Sequence, residues 1–188
     1  MELRVENLCK SYDGRPVLQN VSFTAGPGVT CIMAPSGAGK TTLLRILMGL
    51  EEPDGGTVRP AGVRWAAVFQ EDRLLEHLDA RGNLRFVLGK DYREETAAAL
   101  LTELNLGDVE SKPVREFSGG MKRRLALARA LLASSDALAL DEPFTGLDEE
   151  NRARCQALIR RTAAEKPVLL VTHDPDDVQN AALLRLSK

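Results

Sequence analysis

Residues 34–42 read Ala-Pro-Ser-Gly-Ala-Gly-Lys-Thr-Thr, and their order is that of a backbone cradle for phosphate. Gly37 and Gly39, flanked by the small residues Ser36 and Ala38, let the chain turn its N–H groups inward toward an anion. Lys40 supplies a mobile cation for the outer phosphates, and the Thr41 hydroxyl is placed to ligate Mg²⁺, with Thr42 beside it in the first turn of the following helix. That turn adds unpaired amides and the positive end of its dipole. One position departs from the pattern G-x-x-x-x-G-K-S/T: its first glycine is Ala34. The change bears on close backbone packing at the loop entrance and leaves the phosphate-facing residues intact. A nucleotide phosphate site is the chemistry these residues imply.

Other reactive side chains stand at the ends of apolar runs. Residues 137–140 lead into Asp141-Glu142-Pro143. Parallel sheets gather ligands at the carboxyl ends of their strands, so Asp141 can hold Mg²⁺ and Glu142 can polarise a water for attack on a terminal phosphate. A solvated acidic turn is the plain alternative, common where such a pair stands alone. Residues 168–172 repeat the design and end on His173, which can donate to a γ-phosphate oxygen or serve structure alone. Gln70 closes the run ending Val68-Phe69 and can reach the metal or the attacking water. Ser118 is a suitable N-cap whose following Gly119 and Gly120 bare amides to an anion, as an ordinary capped helix would also do. Tyr12 either stacks on a base or packs against its own turn.

These side chains need strands and helices to carry them. Residues 29–33 read as a buried strand before the loop, and Leu43, Leu44, Ile46, Leu47 and Leu50 recur at helical spacing behind it. Strand patterns fall at 3–5, 21–24, 57–59, 63–69, 137–140 and 168–172. Asp79 can cap one helix, Asp91 with Glu94 has capping-box spacing for another ending near Gly107, and further helices fit 119–133 and 149–164. Strands alternating with helices around a phosphate loop predict a parallel α/β core, interrupted by a helical insert. The expected organisation is one domain, with core segments 1–75 and 113–188 and the insert at 76–112. The formal charge of −2 gives no basic excess, so no nucleic-acid partner is expected. No apolar run approaches the roughly 20 residues of a membrane span, and residues 1–6 have no leader character. Cys9, Cys31 and Cys155 lack metal-ligand spacing and predict reduced thiols in a cytosolic setting.

Taken together, Tyr12, the loop ending in Lys40-Thr41, Gln70, Ser118-Gly119-Gly120, Asp141-Glu142, Gly146-Leu147-Asp148 and His173 resemble the ATP-binding cassette (ABC) family through nearly the whole chain. Residues 69–75, Phe-Gln-Glu-Asp-Arg-Leu-Leu, look like the importer branch serving nitrate-, sulfonate- or taurine-type uptake. The resemblance implies a P-loop NTPase core with a parallel sheet, an N-terminal antiparallel β subdomain and an inserted α-helical subdomain. It implies ATP and Mg²⁺ as cofactors, Gln70 joining Thr41 and Asp141 around the metal, and Glu142, His173 and Gln70 at the chemistry. It further implies a head-to-tail pair, in which Ser118, Gly119 and Gly120 close over the partner's ATP. The pair drives an integral membrane permease from the cytoplasmic face, and Gln70 with Arg73-Leu74-Leu75 is the expected place of contact. Phe117 and Met121 depart from the family's usual Leu and Gln, and the chain stops soon after His173. A soluble, non-transport cassette ATPase is the alternative, though the paired cassettes, coiled-coil insertions or basic extensions usual there do not appear. A phosphate-loop kinase or GTPase would leave Ser118-Gly119-Gly120 and His173 without work.

Overall fold

The computed structural model describes residues 1–35, 37–109, 111–174 and 181–186. Two sheets and five α-helices make up the described chain. Strands β1 (Leu3–Tyr12), β2 (Arg15–Ala25) and β4 (Gly55–Arg59) form an antiparallel sheet in the order β2-β1-β4. Asp13 and Gly14 join β1 to β2 with both φ angles positive, as a two-residue hairpin turn requires. Strands β3 (Gly28–Met33), β5 (Trp65–Val68), β6 (Ala137–Asp141), β7 (Pro167–Val171) and β8 (Ala182–Arg185) form the second sheet. Its order is β5-β6-β7-β3-β8 and every pairing in it is parallel.

Strands β6 and β7 are buried on both faces, which is why their sequences run apolar without alternation. Ala139, Leu169 and Val171 point to one side. There they meet helix α1 (Lys40–Leu47) and the inner face of the antiparallel sheet through Leu3, Val5 and Leu18. Leu138, Leu140, Val168 and Leu170 point the other way, into a core shared with α2 (Ala80–Leu88), α3 (Glu94–Glu103), α4 (Gly119–Leu132) and α5 (Glu149–Ala163). Helix α1, the phosphate-loop helix, is therefore packed between two sheets.

Asp79 caps α2 as expected, accepting from Gly82 N at 2.6 Å. The expectation for Asp91 fails: α3 begins at Glu94 after Arg93, and Asp91 ends a short 3-10 turn. Glu94 does not reach back as a capping box would, because its carboxylate is taken by Arg81, Arg85 and Tyr92. Strands β1 and β2 are longer than their hydrophobic patterns suggested, and β8 had no sequence expectation. No helix among the described residues is long and apolar enough to cross a membrane.

Candidate functional site

A cleft of about 280 Å³ opens where the phosphate loop meets the carboxyl end of the parallel sheet. Its lining includes Tyr12, Gly37, Gly39, Lys40, Thr41, Thr42, Gln70 and His173. Five sequence segments far apart in the chain thus converge: the β1 end, the loop running into α1, the β5 end, the β6 end just behind, and the β7 end.

Ser36 lies outside the described residues. Around it, the loop's form has local causes. Gly39 has φ of +84°, and a Cβ there would meet Leu18 Cδ2 at 2.8 Å and Val17 Cγ1 at 2.9 Å, so only glycine fits. Gly37 also has a positive φ, but with open space around it. Gly39 caps α1 without any side-chain hydrogen bond, which leaves the helix's first amides to be satisfied by a ligand or solvent. Ala38 is buried behind the loop. Ala34 packs onto the core beneath, and its carbonyl accepts from Lys40 Nζ at 2.6 Å, so the methyl in place of the first glycine is accommodated. Lys40 is curled back onto the Ala34 and Pro35 carbonyls and is 8% exposed.

The two carboxylates stand behind that lysine. Asp141 ends β6, 2% exposed, and its Oδ2 accepts from the Thr41 hydroxyl at 3.1 Å. Among the described residues its Oδ1 is buried with no hydrogen-bond partner, and burial pushes its carboxyl above the ordinary range. Glu142 has a left-handed backbone, φ +52°, pinned by its amide donating to Val171 O at 2.9 Å. A non-glycine residue held there is strained, and the hydrogen bond to β7 is what sustains it. Burial raises the Glu142 carboxyl too, with His173 opposing. His173 Nε2 stands 3.1 Å from Glu142 Oε1, ion-pair distance without hydrogen-bond geometry, and its own side chain is exposed to the cleft.

The donor set suits Mg²⁺ that arrives with a nucleotide. A hydroxyl and one carboxylate with a spare buried oxygen meet beside a phosphate cradle, and phosphate oxygens and water would complete a hard-cation shell. Among the described residues no group of three or more His, Cys, Asp or Glu could hold a metal unaided.

Ser118, Gly119 and Gly120 do not line this cleft. Ser118 caps α4, accepting from Met121 N at 3.3 Å, and stands exposed with Gly119. Gly120 has a steric cause: a Cβ would lie 2.9 Å from Gly146 O. Phe117 is buried and Met121 packs on the same core, so apolar packing explains both departures at the motif. Of the leucines expected to meet a partner, both are half-buried; Leu74 packs on the core, and the Leu75 backbone is held by Asn83.

Sequence reasoning missed the brace behind Gln70. Arg123 donates to the Phe69 and Gln70 carbonyls, the latter at 2.6 Å, and lies 3.2 Å from Asp72. Arg129 donates to the Asp72 and Arg73 carbonyls at 2.8 and 2.7 Å. Helix α4, which starts at the Ser118 cap, thereby grips residues 69–73. The only sequence signal was basic residues on a helix whose neighbouring side chains are apolar.

The family model described as ABC transporter matches residues 18–145. The chain belongs to the ABC transporter family. It is 42% identical over 174 residues to the aliphatic sulfonates import ATP-binding protein SsuB 1 of Rhodococcus jostii, covering 88% of this chain and 70% of that one. It is 38% identical over 194 residues to the taurine import ATP-binding protein TauB of Pseudomonas fluorescens, covering 93% and 73%. Among solved structures, an ATP-binding subunit of an ABC transporter superposes with a TM-score of 0.87 at 25% identity, over 99% of this chain and 86% of that chain. A bacterial Atm1-family ABC exporter with ATP bound shares the fold, at a TM-score of 0.88 and 22% identity over 99% and 37%. As an ABC ATPase, the chain is an ATP-binding, ATP-hydrolysing subunit serving a transporter, and the non-transport alternative falls away.

Proposed function

We propose that this chain is the motor subunit of an importer at the cytoplasmic face of a membrane, with organic sulfonates as the class of cargo. The cargo class rests on the relatives' names and their identity over most of the chain. The motor reading rests on one observation: Lys40, Thr41, Gln70 and His173 line a single cleft at a glycine-built phosphate loop, with Asp141 bonded to Thr41 and Glu142 beside His173 just behind it.

In this reading Tyr12 stacks on adenine, the amides of residues 37–42 and Lys40 hold the β- and γ-phosphates, and Ser36 belongs to the same loop. Lys40 leaves the Ala34 and Pro35 carbonyls for phosphate oxygens. Thr41 and Asp141, with Gln70 at the rim, hold Mg²⁺, which when bound neutralises charge on the phosphates. Glu142 takes a proton from the attacking water as the water oxygen bonds to the γ-phosphorus, the bond from the γ-phosphorus to the bridging oxygen breaks, and ADP leaves with that electron pair. Burial raises the basicity of Glu142 for the task. His173 donates to a γ-phosphate oxygen. Ser118, Gly119 and Gly120 stand outside the cleft, capping a helix with an exposed N-terminus, which favours their use on the ATP of a second copy. ATP then closes a head-to-tail pair, hydrolysis opens it, and membrane permease subunits receive the stroke.

Recovery from membranes tests this directly. The protein should co-purify with integral membrane subunits, and cells depending on it should lose uptake of an alkanesulfonate when it carries Glu142→Gln. Recovery without any integral membrane protein would refute the transporter assignment, and unchanged sulfonate uptake would refute the cargo class.

A further inference from the structure

Tyr12 is mounted, and the phosphate chemistry does not explain why. Its hydroxyl donates to Glu51 Oε1. The same oxygen lies 3.6 Å from Lys10 Nζ, and Glu51 Oε2 lies 3.6 Å from Arg45 Nε. Lys10 Nζ stands 5.5 Å from the centre of the Tyr12 ring and donates to Glu52 O at 2.8 Å. Ser11 N donates to Asp54 Oδ2 at 2.6 Å, and Asp54 N to Cys9 O at 2.9 Å. The strand that ends in the ring is thus sewn to residues 51–54. Exposure shows the same division of labour: the Glu51 side chain is 16% exposed, whereas Tyr12 is 42% exposed and lines the cleft. A casual surface ion pair has neither the recess nor the shared partners.

Glu51 is itself fixed to α1. That helix ends in a Schellman motif: Gly49 has φ +68°, its amide donates to Ile46 O at 3.0 Å, and Leu50 N donates to Arg45 O at 2.9 Å. Lys40 begins the helix and Glu51 follows its end. One rigid rod therefore joins the phosphate loop to the carboxylate that holds the ring.

We propose that Glu51 is a positioning residue for base recognition, fixing the Tyr12 ring relative to the phosphate loop so that base and triphosphate are bound as one rigid pair. With its hydroxyl anchored and Lys10 beside the ring, Tyr12 keeps an open face toward the cleft without the entropy cost of ordering a free side chain on binding. The inference rests on the reading of Tyr12 as the adenine platform.

The test compares dissociation constants for ATP and for inorganic tripolyphosphate, which lacks a base, in the full chain and in three variants. Glu51→Ala and Tyr12→Phe should each weaken ATP about 3- to 10-fold, the net worth of one hydrogen bond at a partly exposed ring. Tyr12→Ala should weaken it roughly 10-fold or more. Tripolyphosphate should bind all of them like the parent. Equal losses for both ligands in Glu51→Ala would make the residue a mere support of α1 and overturn the proposal. Unchanged ATP binding in Glu51→Ala and Tyr12→Phe, with a loss in Tyr12→Ala, would overturn it while sparing the adenine platform. Unchanged ATP binding in Tyr12→Ala would remove the platform and the proposal together.

Discussion

The Thr41 hydroxyl donates to Asp141 Oδ2 across 3.1 Å, tying the first turn of α1 to the end of β6 although 100 residues separate them. The bond occupies one carboxylate oxygen and leaves the other buried and without a partner among the described residues. An arrangement that costs desolvation free energy in the resting protein is useful once a cation arrives. Asp141→Ala should lower Mg²⁺-dependent hydrolysis on the order of 10²–10³-fold. ATP binding measured in chelator should be retained. A variant that responds to Mg²⁺ as the parent does would remove Asp141 from the metal site.

Arg123 and Arg129 give a second prediction. They donate to four carbonyls in residues 69–73 from a helix that begins at the Ser118 cap. Arg129→Ala strips two of these bonds and should destabilise the fold by about 1.5–3 kcal/mol, readable by urea denaturation. Arg123→Ala should lower kcat with KM for ATP little changed, because the loop carrying Gln70 loses its seat while the phosphate loop keeps its own. A rise in KM with kcat intact would mean that the brace serves binding instead.

The pair Arg64 and Asp136 predicts a pH effect on stability. Arg64 donates to Asp136 from its amide at 3.0 Å, from Nε at 3.1 Å and from Nη2 at 2.8 Å, at the start of the β5–β6 pairing. These bonds hold the Asp136 carboxyl down to about 2. A carboxyl lowered on folding adds stability above its unfolded value near 4, and that stability is lost as pH falls toward about 2. Asp136→Asn should therefore be less stable than the parent at pH 6, with the gap closing between about pH 4 and pH 2. A gap that persists undiminished at the acid end would show that the carboxylate's charge is not its source.

The residues that gather at the candidate site were more legible in the sequence than their supports. The apolar runs into Asp141 and His173 were legible because β6 and β7 are buried on both faces and need no alternation. The extent of β1 was hidden because register shifts after Val5, Leu8 and Lys10 break its period of two. Asp91 misled because the capping-box spacing was present while Glu94 had stronger partners in Arg81 and Arg85. The grip of Arg123 on residues 69–70 was invisible because its acceptors are backbone carbonyls, which no residue type encodes. The tie from Tyr12 to Glu51 spans two elements whose contact only the fold decides.

The proposed head-to-tail pair makes a prediction at the exposed Ser118-Gly119 turn. With Mg-ATP, Glu142→Gln should sediment as a dimer, since hydrolysis cannot reopen the pair. Adding Gly119→Asp should restore the monomer by setting a charge against the partner's phosphates, while the fold tolerates it because a Cβ at Gly119 meets nothing within 4 Å. A doubly substituted protein that still dimerises would move the interface away from this turn.

The most direct measurement is the rate of ATP hydrolysis in Glu142→Gln beside its affinity for ATP. Glu142 is the carboxylate held by a strained backbone next to Asp141 and facing His173. Turnover should fall roughly 10²–10⁴-fold, the contribution of a positioned general base, while ATP affinity stays at the parental value. Hydrolysis near the parental rate with binding intact would contradict the assignment of this cleft as the site of the chemistry.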